Sequence, residues 1–232
     1  MDRNVQRIEV LNGGTAYGVD THRVLRNTYW LLALSMVPTV LGAWIGVQTG
    51  IFMHMRPMTS MIVFFGGAFG LMYLVNRFKD SAAGVAALLG FTFFMGLMLS
   101  RLLGQVLGGY SNGANLIMTA FGGTAGVFFG MATLATVVKR DMSGLARFLT
   151  IGVWIAIVAS VIAMFTQSTA MMLAISTAMM VVFSIFVMID VKRVLDGGER
   201  NYVIATLHIY LDLYNVFQNM LFLLTSLTGD RR

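Results

Sequence analysis

Ten of the 232 residues are acidic, and their places decide what chemistry is open to the chain. Eight of them, Asp2, Glu9, Asp20, Asp80, Asp141, Asp196, Glu199 and Asp230, fall in tails or in short linkers between apolar runs. The other two do not. Asp190 ends the run Val187-Met188-Ile189-Asp190, and Asp212 lies well inside another, in Ile209-Tyr210-Leu211-Asp212-Leu213. An ionisable group at membrane depth is expensive, and by default it marks function. The two aspartates come from consecutive apolar runs, which must run antiparallel, so they are expected to approach each other. Two neighbouring carboxylates do not both ionise cheaply, and they titrate as a coupled pair. Protonated, the pair hydrogen-bonds and holds two helices together. Deprotonated, it repels and offers the oxygen ligands that Ca²⁺ prefers. Asp190 and Asp212 thus form a candidate proton-sensitive gate, and candidate ligands for a calcium ion bound transiently. Arg77, at the end of the second apolar run, is the base placed to pair with them as a latch.

A second polar group lies on the last run. His208, Asp212, Asn215 and Asn219 follow the spacing i, i+4, i+7, i+11, which places them on one helical face, and Gln218 adjoins them. A lipid-facing helix does not tolerate such a stripe. The last helix is therefore expected among the other six, with its stripe against a pore or a polar seam.

The elements that position these residues follow from composition. Hydrophobic residues make up 57% of the chain and charged residues 11%, against roughly 25% charged in a soluble domain. Mean hydropathy is +0.78. This is an all-α integral membrane protein, with the bilayer as its first partner. Apolar stretches cover approximately residues 28–50, 58–76, 81–103, 114–138, 147–165, 169–191 and 201–226. A polar N-terminal tail (1–27), a transmembrane domain of seven helices (28–226) and a short C-terminal tail (227–232) are expected. With the N-terminus cytoplasmic, Arg3, Arg7, Arg23, Arg26, Arg77, Lys79, Lys139, Arg140, Arg147, Lys192, Arg193 and Arg200 lie inside, against Arg56, Arg101, Arg231 and Arg232 outside. That asymmetry predicts the N-in orientation. The final run has no Gly or Pro between 201 and 228 to make a hairpin tip, so a true seventh span is expected rather than a re-entrant loop.

Glycines spaced by four, at Gly42/Gly46/Gly50, Gly66/Gly70 and Gly122/Gly126/Gly130, give faces on which helix backbones approach closely, most economically within the bundle itself. The net charge of +6 is topogenic and implies no nucleic acid. With no cysteine and three scattered histidines, thiolate and zinc sites are excluded. Lys79, Lys139 and Lys192 all lie in loops, which excludes a retinal Schiff base. An intramembrane aspartyl protease would need a Gly-x-Gly-Asp pattern, and Tyr210-Leu211 precedes Asp212 instead. No enzyme and no resident cofactor are expected.

The stretch Tyr210-Leu211-Asp212-Leu213-Tyr214-Asn215-Val216-Phe217 is similar to the Leu-Tyr-Leu-Asp-Phe-x-Asn-Leu-Phe signature of the Bax inhibitor-1/YccA-like family, the transmembrane Bax inhibitor motif proteins. The aspartate closing the sixth span and the seven-span layout agree with that family over nearly the whole chain. The resemblance implies six helices wrapped around a central C-terminal helix. It implies a pH-sensitive calcium leak governed by a di-aspartyl pair, here Asp190 and Asp212, with Arg77 as the latch. For a bacterial member it implies the cytoplasmic (inner) membrane. The alternative it implies is a non-transporting regulator that restrains a membrane-bound ATP-dependent protease or another stress-response partner, with the polar N-terminal tail as the contact segment. Two departures stand out. The second run reads Phe65-Gly66-Gly67-Ala68 where some relatives carry a glutamate, and Leu221-Phe222-Leu223 lacks the arginine that often ends the family's last motif.

Overall fold

The computed structural model describes residues 3–53 and 55–228, and side chains from residue 21 onward apart from Pro57 and Met164. Seven helices follow one another: α1 Arg3–Thr49, α2 Pro57–Phe78, α3 Ala82–Gly109, α4 Gly113–Val137, α5 Ser143–Thr166, α6 Thr169–Leu195 and α7 Tyr202–Leu227. No strand occurs among the described residues. The expected tail at 1–27 and first span at 28–50 are continuous in α1, whose apolar part is Thr21–Thr49. Most of the expected C-terminal tail, with Arg231 and Arg232, lies outside the described residues.

Local chemistry sets the helix ends. Pro57 opens α2, where its missing N–H costs nothing. Ser168 caps α6 by accepting from Met171 N at 3.3 Å. Gly197, with φ of 73°, ends α6 in the left-handed conformation that glycine adopts without strain, and Gly198 N donates back to Arg193 O at 2.9 Å. Asn201 then caps α7, its Oδ1 accepting from Val203 N at 3.0 Å and Ile204 N at 3.1 Å. At the start of α5, Asp141 accepts from the Ser143 N–H and hydroxyl, which hold its carboxyl below the usual range.

Six helices, α1 to α6, are long and apolar enough to cross a membrane. Their outward faces carry exposed large apolar side chains, including Trp30, Phe69, Phe129, Phe148, Trp154 and Phe165. That is a surface for lipid rather than for water. α7 is missing from the six because its polar stripe dilutes it, and it is buried instead. Thirteen of its 26 residues are buried, and Leu207, Ile209 and Val216 are fully so. It is one unbroken helix, so the hairpin alternative does not hold. It packs on α1, α2, α3, α4 and α6, while α5 meets α6 alone. Of the six helices expected around the last one, five pack on it directly. α5 is nearly all apolar, so lipid replaces a second protein neighbour at little cost.

The main core joins α1, α3, α6 and α7 through Leu31, Phe91, Met95, Val187, Val191, Leu207 and Tyr210. Of the glycine faces, Gly42 and Gly46 lie against α3, and Gly96 lies against α1. A Cβ at Gly42 would overlap Phe93 O, and one at Gly96 would overlap Thr39 O. Gly66, Gly70, Gly122, Gly126 and Gly130 meet nothing within 4 Å. One glycine face is thus an intramolecular seam and two are open.

Candidate functional site

The site lies where α6 ends and α7 begins. By helical rise, Asp190 is about 8 Å from the end of α6 and Asp212 about 15 Å from the start of α7. The antiparallel packing of α6 on α7 brings the two carboxyls within hydrogen-bonding reach of each other. Asp212 is 7% exposed, and its Oδ2 is fully buried with no N–H or O–H donor directed at it among the described residues. A buried carboxyl oxygen without a donor is costly. A proton held between the two carboxyls satisfies it, since a carboxylic acid donates where a carboxylate only accepts.

Asp190 faces outward from this pair. Arg193 Nη1 lies 3.3 Å from its Oδ1, one helical turn on, and Arg193 itself is half open to solvent. His208, one turn before Asp212 on α7, and Glu199, in the linker, are close enough to act on Asp190 electrostatically. Lys192 is turned the other way and is held by Asp196 at 2.9 Å. The pair therefore has a dry side, Asp212, and a side reached by charge and solvent, Asp190.

Not every expected residue joins it. Arg77 is exposed, and its guanidinium lies 5.7 Å from the centre of the Phe78 ring. The cation that pairs with Asp190 is Arg193. It stands i+3 from the aspartate, a spacing that could have been read from the sequence, although as a loop-end base it looked topogenic. Of the polar stripe, only His208 and Asp212 belong to the site. Asn215 Nδ2 donates to Leu211 O and Asn219 Nδ2 to Asn215 O, both at 2.8 Å and both within α7. Gln218 Nε2 donates to Tyr214 Oη at 3.3 Å. These amides satisfy themselves locally as a seam would. Among the described residues no group of three or more His, Cys, Asp or Glu side chains converges to hold a metal, so two carboxylates are the acidic donors at this point.

On the opposite face of α7, Tyr210 and Tyr214 fasten it to α1 and α3. The Tyr210 and Thr39 hydroxyls are 2.9 Å apart, Tyr210 Oη donates to Thr92 O at 3.4 Å, and Tyr214 Oη donates to Met95 O at 3.3 Å. These tyrosines surround Asp212 in the sequence motif but point away from it. The motif thus encodes two things at once, a fixed face and a titratable one.

The family described as inhibitor of apoptosis-promoting Bax1 matches residues 21–229. The chain belongs to this family. An uncharacterized protein of Pseudomonas aeruginosa is 34% identical over 220 residues, covering 95% of this chain and 96% of its own. An uncharacterized protein of Neisseria meningitidis is 33% identical, covering 93% and 96%. A third relative, from Escherichia coli, is named modulator of FtsH protease YccA; it is 32% identical and covers 91% of this chain and 94% of its own. The same identity and coverage hold for a protein of a second Escherichia coli strain, named inner membrane protein YccA. The resemblance read from the Tyr210–Phe217 stretch and the span layout is therefore correct.

Proposed function

We propose that the chain is a proton-gated cation leak of the Bax inhibitor family, in which the Asp190–Asp212 contact is the gate. The observation that carries this reading is the contact itself: two carboxyls from neighbouring helices, one with a buried oxygen at which no N–H or O–H donor among the described residues is directed. With a proton between them they tie α6 to α7. When that proton leaves, two like charges face each other in a low-dielectric site and push the helices apart. The freed oxygens are hard ligands of the type that Ca²⁺ takes, but two carboxylates fall short of the six to eight oxygens of a storage site, roughly. Calcium or another cation would bind transiently and pass on. His208, Arg193 and Glu199 face the pair and set the pH at which it opens.

In this reading α7 is the axial helix and the seventh span. The Lys and Arg asymmetry supports a cytoplasmic N-terminus and Asp190 end of the bundle, and the relative named inner membrane protein YccA supports a bacterial inner membrane. Arg77, exposed and near the same end, would act as a latch only after a movement of α2 toward the pair. Purified protein in Ca²⁺-loaded liposomes should leak more as pH rises between about 5 and 8. Asp212→Asn, whose neutral amide keeps a hydrogen bond to Asp190 at any pH, should hold the leak low throughout. No leak at any pH in that range would overturn the proposal.

A second reading is favoured by the Escherichia coli relative named modulator of FtsH protease. By it, the chain restrains a membrane-bound ATP-dependent protease, and residues 1–22 are the contact segment. Co-purification of a protease complex that is lost on deleting residues 1–22 would support this. A complex retained after the deletion would remove the tail from it.

A further inference from the structure

At the same end of the bundle, but outside the aspartate site, two clefts adjoin. One, of about 510 Å³, lies between the α2–α3 linker and the start of α7, and Lys79 and Arg200 supply its cations. It also holds one acid, Asp80, so its cations exceed its acids by one; Asn201 Nδ2 donates to Asp80 Oδ1 at 2.7 Å and to Lys79 O at 3.1 Å. The Lys79 side chain is exposed, and so is that of Arg200, whose Nε donates to Gly197 O at 3.4 Å. The second cleft, of about 380 Å³, shares Val85 and Tyr202 with the first, and is otherwise lined on α1 by Asn27, Trp30, Leu31 and Leu34. Trp30 is 72% exposed on a helix that is apolar enough to cross a membrane. Arg23 and Arg26, both exposed, stand one turn before Asn27 and Trp30.

We propose that these two clefts form one groove for a single anionic phospholipid, with its phosphate against Lys79 and Arg200 and an acyl chain along Trp30, Leu31 and Leu34. The order of chemistry along the groove is that of the lipid: cations and hydrogen-bond donors, then an interfacial Tyr and Trp, then aliphatic side chains. Basic pockets between membrane helices recognise anionic headgroups, and Trp and Tyr prefer the headgroup level. A soluble anion would use only the polar half and would leave the apolar cleft unexplained. A zwitterionic lipid would fill the apolar half but bring a cation of its own beside Lys79 and Arg200. Since Asn201 ties the α2–α3 linker to the cap of α7, the bound lipid would rest on both elements at once.

The test uses the full chain with Trp44→Phe and Trp154→Phe, leaving Trp30 as the single tryptophan of the three. The protein is reconstituted in phosphatidylcholine vesicles doped with either brominated phosphatidylglycerol or brominated phosphatidylcholine. Trp30 should be quenched more strongly by the phosphatidylglycerol at equal mole fraction. Lys79→Gln with Arg200→Gln should lower that preference about tenfold, and Lys79→Arg should keep it. Should the double variant not fold, Lys79→Glu alone, at an exposed side chain whose carbonyl still serves Asn201, should abolish the preference. Equal quenching by the two lipids overturns the proposal. So does a preference that survives these substitutions, and so does its loss on adding millimolar inorganic phosphate, which would make this a site for a free anion. None of these readouts depends on a leak.

Discussion

The α1–α3 seam and the α6–α7 contact are both close helix pairs, yet they are joined by opposite means. α1 meets α3 backbone to backbone, through Gly42 and Gly46 on one side and Gly96 on the other, with no carboxyl pair in contact between them among the described residues. α6 meets α7 with Val187, Val191 and Ile209 packed close by and two carboxyls in contact. The first contact has one state, because small residues leave nothing to rearrange. By the proposed gate the second has two, because adding or removing a proton changes the sign of the force across it. If the proposed gate holds, a membrane protein with few charges keeps most of its helices rigid and concentrates its response to pH in one pair of residues.

The comparison can be broken from either side. The largest effect is expected at Gly96→Val, where new atoms would strike the Thr39 backbone, which has no rotamer to yield. Thermal unfolding in detergent should show a loss of about 3 kcal/mol, equal at every pH; a pH-dependent loss would mean that the seam is coupled to the gate. Next comes Asp212→Asn. The melting temperature of the native protein should fall as pH rises between about 5 and 8, because ionisation sets like charges in contact, while the variant should melt at one temperature throughout. Equal slopes in the two proteins would remove the pair as the source of pH dependence. Tyr210→Phe deletes the hydroxyl that joins α7 to Thr39 and Thr92 and should cost about 1 kcal/mol, again without pH dependence. The smallest effect is expected at Gly126→Ala on the open face of α4. With no neighbour to strike, the added methyl should stabilise the helix by about 0.5 kcal/mol. A large loss there would reveal a partner helix covering the face.

Much of this was legible beforehand, for a definite reason. A bilayer enforces long apolar runs, so seven helices could be counted and their apolar parts placed, although α1 begins at Arg3, well before its apolar run; any acid left inside a run was conspicuous. Asp190 and Asp212 were found in that way. Arg193 was missed because it sits among the bases that end α6, where orientation alone accounts for a positive charge. Arg77 was expected at the pair because it is close in topology, but its side chain lies over Phe78. The stripe of Asn215, Gln218 and Asn219 was read as one polar face, whereas in space each amide turns to its own helix or to Tyr214.

By itself, the sequence determined that this chain lives in a membrane, the number and order of its helices, its family, and which two carboxyls lie inside apolar runs. Those properties depend on composition, spacing and local chemistry, which each segment carries alone. Tertiary structure decided which helices leave α7 uncovered, which glycine face is a seam, and that Arg193 rather than Arg77 reaches Asp190. It also joined Lys79 and Arg200 to the cleft beside Trp30. Those are matters of rotation about helix axes and of rotamers. Many packings share one hydropathy pattern, and only the mutual fit of side chains selects among them.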